Sequence, residues 1–325
     1  MSTVELQAPT PRPRIRERRP ESPPWRLRDR IGLAFAWLLG LLFCAVALAI
    51  VIYFLVQGIK YVRPDLFVTN PSVNATTSAA TGGFLDPLLG TLLITAMAMS
   101  IALPVGVAIA VWLSEYGRPT VLARICESSV EMIAGTPSIV LALFGVLLFE
   151  SPALGFLSRT SGGVVYGRSF FAGAAMLSLV ALPLVVTNVR AGLQAIPSHV
   201  REASYALGKT KIATTRRVLL PAARPSVLTG AMLGAGRVIG DTAIILVLLG
   251  GTLTFNTAGG VPFLSTLRGT GATLTYYVFY NAPTGEGNQP AKAYAAAFVL
   301  LVIVLALNVG VDIATRRARR LHWSS

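Results

Sequence analysis

Six predominantly apolar stretches of this chain, each 18 residues or longer, carry no Asp, Glu, Lys or Arg: Ile31 to Ile59, Pro87 to Ser114, Met132 to Phe149, Ser169 to Val189, Thr242 to Leu267 and Ala293 to Val311. A helix rises about 1.5 Å per residue, so about 20 apolar residues span the roughly 30 Å of a bilayer's hydrocarbon. Each run is near or beyond that length. With 54% hydrophobic and 13% charged residues, a water-soluble fold would have to hide almost the whole chain. The sequence therefore predicts an all-α, polytopic membrane protein with about six transmembrane helices.

The formal charge of +14 follows the same topology. With the N-terminus in the cytoplasm, 21 of the 28 Lys and Arg residues fall in inner segments, six in outer loops, and Arg237 inside a span. That is the positive-inside asymmetry of a multi-pass protein of the cytoplasmic membrane with both termini inside. No aromatics interleave with the basic residues as a strand-binding groove requires, so nucleic acid is not an expected partner.

Residues 1–30 mix prolines with eight arginines and are expected to form a disordered basic cytoplasmic arm, anchoring topology or meeting anionic lipid. Residues 31–59 are read as a first transmembrane helix, since the uncharged run is too long for a signal-peptide core. A core domain over 86–315 follows, containing a cytoplasmic loop over 190–224, and 316–325 form a basic tail. The outer segments are polar; Asn74-Ala75-Thr76 is a bare sequon, and Tyr276-Tyr277-Val278-Phe279-Tyr280 is expected as an interfacial aromatic belt. Cys44 and Cys126 are too far apart in topology to pair, and His199 and His322 form no metal-ligand cluster, so no metal or catalytic group is expected.

Ala203 to Thr210 imitates a phosphate-cradling loop through Gly208-Lys209-Thr210, but it lacks the first glycine and follows a helix entry rather than a strand. The surrounding segment reads instead as two short helices. Ser198 is the expected N-cap and Glu202 an acidic residue in the first turn. Gly208 is expected to stop the first helix with a left-handed backbone, and Leu220-Pro221 to redirect the second. Further on, Arg237 lies 13 residues beyond Arg224, about 20 Å along a helix. Asp241 is four residues later, within ion-pair reach. The pair either fixes packing or lines a path, with Arg237 attracting an oxyanion, Asp241 balancing it and Thr242 beside them. Gly230 with Gly234 and Gly236 with Gly240 would admit close helices.

Glu202-Ala203-Ser204, three residues, Gly208, nine residues, then Val218-Leu219-Leu220-Pro221 resembles the EAA loop of importer permeases of the ATP-binding cassette class. Ser204 stands for alanine and Val218 for isoleucine. Gly135-Thr136-Pro137-Ser138-Ile139-Val140 with Leu143-Phe144-Gly145, the run from Arg201 to Gly208, and Arg237 with Gly240-Asp241-Thr242-Ala243 further resemble the phosphate-specific permeases of that class, Asp241 replacing their usual glutamate. The resemblance implies a type I importer permease fold, a substrate path at Arg237, Asp241 and Thr242, and ATPase coupling through Glu202, Ala203, Gly208, Leu220 and Pro221. It also implies a second homologous permease in a heterodimer, two separate ATPase subunits that use the ATP, and an extracytoplasmic phosphate-binding protein. No cofactor is expected on this chain, and no residue performs covalent chemistry. Permeases for sulfate or phosphonate would share the loop; a secondary transporter or sensor would need no ATPase.

Overall fold

The computed structural model describes residues 27–71, 82–117, 119–158, 160–161, 164–251 and 266–322. The arm before residue 27 and the sequon at Asn74 lie outside them. By contacts the chain divides into a unit ending at Ile52 and a unit from Tyr53 onward. The first holds most of helix α1 (Leu27–Ile59), whose apolar window has none of its surface buried; Trp37, Leu41 and Phe43 are all exposed. Such side chains are stable only with lipid or another protein against them.

In the second unit α2 (Leu85–Val111) runs into a π-helical turn, Trp112–Tyr116. Helices α3 (Val121–Gly135) and α4 (Ser138–Phe149) follow, then a small hairpin, Thr160–Ser161 with Val164–Val165. Next come α5 (Phe170–Gln194) and α6 (Ser198–Ala206). Then α7 (Lys211–Thr214), a π-helical stretch (Thr215–Leu219) and α8 (Leu220–Ala222) run on as one rod. The chain continues as α9 (Arg224–Gly240), α10 (Ala243–Leu248), α11 (Leu274–Asn281) and α12 (Pro290–His322).

Helix α5 is the central element. Two thirds of its apolar window is buried, and α2 and α9 pack along it. Small residues set these approaches: a Cβ on Gly106 of α2 would sit 2.7 Å from Val185 Cγ1 of α5, whereas one on Gly230 or Gly234 of α9 would come to 3.3 Å from Val185. The first Gly pair expected in α9 therefore serves contacts inside this chain. The second does not, for at Gly236 and Gly240 an added Cβ meets nothing within 4 Å.

Among the described residues four unbroken helices are long and apolar enough to cross a membrane: Arg28–Ile59, Leu85–Tyr116, Phe170–Gln194 and Pro290–Ile313. Two more crossings require bent pairs, Val121–Gly135 with Ser138–Phe149 at 106° and Lys211–Ala222 with Arg224–Gly240 at 67°. The apolar run from Met132 to Phe149 is thus no straight span. Pro137 cannot donate a backbone hydrogen bond and drives Thr136 to an extended ψ of 129°, ending the helix there. The second bent pair ends at Gly240, before the uncharged run from Thr242 to Leu267, of which 242–251 and 266–267 are described, with α10 over Ala243–Leu248.

The tyrosines expected as a belt turn inward. Tyr276 and Tyr277 are buried, Tyr277 edge-on to Phe84 at 6.2 Å between ring centroids and Tyr276 stacked on Tyr280 at 6.0 Å. Helix α11 packs against α12 and α2, so these rings fill protein rather than the lipid interface, and Phe279 alone of the stretch is strongly exposed.

Candidate functional site

Two places gather the residues the sequence singles out. The first is the break between α9 and α10. Helix α9 ends at Gly240 and Asp241 turns extended, with ψ 116°. Arg237 therefore stands in the last turn of a helix, where its charge matches the partial negative charge of the free carbonyls. Its Nη2 lies 3.3 Å from Asp241 Oδ2, with 44% of the Arg237 side chain exposed and 1% of Asp241. The pair is ionic rather than an aligned hydrogen bond: Asp241 Oδ2 has no hydrogen-bond partner, while Oδ1 accepts from Ile244 N at 3.0 Å and caps α10. Thr275 Oγ1 donates to Ile239 O at 2.6 Å, which satisfies a carbonyl of the interrupted helix. Thr242 is half-buried in the turn, its carbonyl accepting from Leu246 N at 2.9 Å.

An isolated Arg in mid-bilayer costs roughly 2.5 to 3.5 kcal/mol on insertion scales. Here a buried carboxylate and a helix C-terminus offset that cost. The guanidinium still presents nearly half its surface away from the core of its own chain, on the same exposed stripe of α9 as Leu233 and Gly240. Such a group can donate its fork to an oxyanion.

The second place is the α6–α8 loop. Its start corrects the expected capping: α6 begins at Ser198 with Pro197 in the N-cap position, no side chain caps it, and no acidic residue occupies its first turn. Glu202 sits one turn further on. The C-terminus is as expected: Gly208 N donates to Tyr205 O at 2.9 Å and Lys209 N to Ser204 O at 3.2 Å, with Gly208 at φ +72°. This is a Schellman closure, and only glycine adopts that backbone without cost. Thr210 then caps α7 by accepting from Ala213 N.

Ser204, standing where the EAA pattern has alanine, is buried and hydrogen-bonds Thr214 Oγ1 at 2.8 Å, tying α6 to α7. Glu202, Ala203 and Gly208 are exposed, as are the apolar side chains of Leu207 (79%) and Ile212 (71%). Leu220 and Pro221 are half-buried and line a groove of about 370 Å³ with Val107, Arg216, Arg224, Val227 and Leu228.

Acidic partners behind this loop were not visible in the sequence. Arg201 forks onto Glu115 at the end of α2, and Arg190 pairs with Glu127 of α3. The two carboxylates offer only a weak signal, acids close to the ends of apolar segments. Among the described residues no group of three or more His, Cys, Asp or Glu could hold a metal ion.

Residues 102–320 match the family described as "Binding-protein-dependent transport system inner membrane component". The chain is 35% identical over 242 residues to "Phosphate transport system permease protein PstA 1" of Mycobacterium tuberculosis, covering 73% of this chain and 72% of that one. It is 28% identical over 291 residues to "Probable ABC transporter permease protein YqgI" of Bacillus subtilis, covering 87% and 94%. Its fold superposes on a chain of a bacterial alginate ABC transporter solved with an alginate-bound periplasmic protein, with TM-score 0.60 and 16% identity, covering 89% and 95%. The chain belongs to the binding-protein-dependent transport system inner membrane component family, the multi-pass permeases of ATP-binding cassette importers.

Proposed function

We propose that this chain is one permease subunit of an importer that moves inorganic phosphate across the cytoplasmic membrane, driven by ATP hydrolysed on separate subunits. The observation that carries it is the Arg237–Asp241 pair: a guanidinium half-exposed at a helix break, backed by a buried carboxylate, in a chain 35% identical to a protein named for phosphate transport. Arg237 donates to the oxyanion in transit, Asp241 holds the guanidinium and keeps the empty path near neutral, and Thr242 lies at the same break. Guanidinium suits phosphate because its fork makes parallel charge-assisted hydrogen bonds.

The exposed face of Glu202, Ala203, Leu207 and Ile212 is the seat for an ATPase subunit, with Gly208 shaping the turn and Leu220-Pro221 the exit. Apolar side chains left bare beside a structured turn favour burial against a partner. Two ATPase subunits, one per permease, would close on ATP and swing these loops. The Gly236 and Gly240 face of α9, open in this chain, is the approach for a second, homologous permease, and an extracytoplasmic binding protein delivers phosphate. The charge asymmetry supports both termini in the cytoplasm.

The test is uptake of radiolabelled phosphate by phosphate-starved cells lacking the gene, complemented with wild type, Arg237→Ala or Glu202→Lys, and challenged with excess sulfate. Uptake restored by wild type alone and indifferent to sulfate supports the reading. Unchanged uptake on deletion, with no second phosphate system active, overturns phosphate as substrate.

A further inference from the structure

Helix α6 has almost no apolar attachment to the bundle. Ser204 is its one buried residue, and no residue of α6 belongs to the hydrophobic clusters of the unit. Beyond its short covalent links to α5 and α7, displacement of α6 therefore reaches the membrane helices through polar contacts. Besides the Ser204–Thr214 bond within the loop, these contacts centre on Arg201. Its Nη2 donates to Glu115 Oε1 at 2.9 Å and to Leu193 O at 2.8 Å. Its Nε lies 3.2 Å from Oε1 and 3.4 Å from Oε2, and Nη1 donates to Ile196 O at 2.8 Å. One guanidinium thus joins α6, the carbonyls at the end of α5, and the end of α2.

The Glu115 side chain is only 5% exposed, which for a carboxylate is costly unless it is paired and held in geometry. It lies in the π-helical turn Trp112–Tyr116, a local widening that recurs at functional sites. The next residue in that turn, Tyr116, takes the other arm of the loop: Lys211 Nζ of α7 lies 4.8 Å from its ring centroid. Two consecutive residues of one turn therefore grip both sides of the α6–α7 bend. Arg201 is held by a directional fork that a point charge does not reproduce.

We propose that Glu115 and Tyr116 form the joint through which a stroke on α6 moves α2, with Glu115 the positioning residue and Arg201 its lever. The proposal rests on the reading of α6 as the ATPase seat and adds where its motion goes. A joint of this kind couples nucleotide hydrolysis to the opening of the path without touching substrate. Its loss should separate the two activities rather than abolish both.

The experiment uses the whole importer, purified with its ATPase subunits and reconstituted in vesicles, as wild type, Glu115→Gln, Arg201→Lys, Lys211→Met and Tyr116→Leu. The readout is the ratio of binding-protein-stimulated to basal ATP hydrolysis at equal amounts of assembled complex. Glu115→Gln and Arg201→Lys are expected to lower the ratio at least about tenfold, as breaking a buried hydrogen-bonded charge pair does. Lys211→Met and Tyr116→Leu should lower it roughly threefold, the size of a partly exposed cation–π contact.

A ratio within about twofold of wild type in assembled Glu115→Gln and Arg201→Lys overturns the proposal, since surface-scale effects are that small. So does a fall of basal and stimulated rates in equal proportion, which marks a structural role. If the buried variants do not assemble, Lys211→Met and Tyr116→Leu decide: an unchanged ratio in both overturns the joint, a lowered one supports it. Phosphate uptake by the wild-type vesicles is scored separately, and its failure alongside normal stimulation counts against the substrate and leaves the joint standing.

Discussion

The Arg237 guanidinium and the Asp241 carboxylate lie 3.3 Å apart across the end of α9, one 44% exposed and the other 1%. That asymmetry gives the two residues different work. Asp241 is also bonded to Ile244 N, so it holds the break together, whereas Arg237 is free to face outward.

Asp241→Ala is expected to lower the amount of protein in the membrane more than Arg237→Ala does. It strips the cap from α10, a loss of about 0.5 to 2 kcal/mol, and leaves Arg237 without its counter-charge. Arg237→Ala leaves Asp241 its bond from Ile244 N, so the chain accumulates while phosphate uptake falls by at least about tenfold, the loss of one charge-assisted donor pair. Quantified membrane fractions beside uptake rates separate the two effects; equal accumulation defects in both variants would count against this division.

Gly208→Ala places a Cβ in open space, for nothing lies within 4 Å, yet at φ +72°. The expected cost is about 1 kcal/mol from the backbone alone. Co-purification of the ATPase should weaken severalfold while the permease remains in the membrane at wild-type level. Undiminished co-purification would show that the Schellman closure is not needed for docking.

Gly106→Ala and Gly236→Ala should differ sharply. The first drives a methyl group against Val185 between α2 and α5, and overpacking of that kind costs about 1 to 3 kcal/mol, lowering the melting temperature in detergent. The second meets nothing in this chain and should leave melting of the isolated subunit unchanged while weakening its association with the second permease. Equal melting of both variants would contradict the packing described for α2 and α5.

Ser204→Ala leaves the Thr214 hydroxyl buried without its partner, and Thr214→Val does the reverse. Each is expected to cost about 1 kcal/mol, and the double variant less than their sum. A melting series of the purified subunit measures the coupling, and strict additivity would mean the two hydroxyls do not bond in solution.

Much of this was legible along the chain. Uncharged runs longer than a bilayer is thick specify membrane helices whatever their neighbours, and Glu202-Ala203-Ser204, Gly208 and Leu220-Pro221 carry their turn chemistry in local order. The Gly208 stop could be read because a left-handed residue is a property of one position. Arg237 and Asp241 could be paired because four residues is one helical turn.

Hydropathy could not place the helix breaks. The run from Met132 to Phe149 is uncharged throughout, and only the short polar stretch around the proline at 137 marks the 106° bend. The run from Thr242 to Leu267 gives no sign that the helix has already ended at Gly240. Tyr276 and Tyr277 read as interfacial along the chain, and only the fold sets Phe84 against Tyr277 and buries Tyr276 beside Tyr280. Glu115 and Arg201 stand 86 residues apart, so no local rule joins them. Sequence alone determined what depends on composition and near spacing: the membrane class, the loop and the ion pair within one turn. Tertiary structure decided where helices break and which distant charges meet, because those follow from the packing of α2, α5 and α9 against one another.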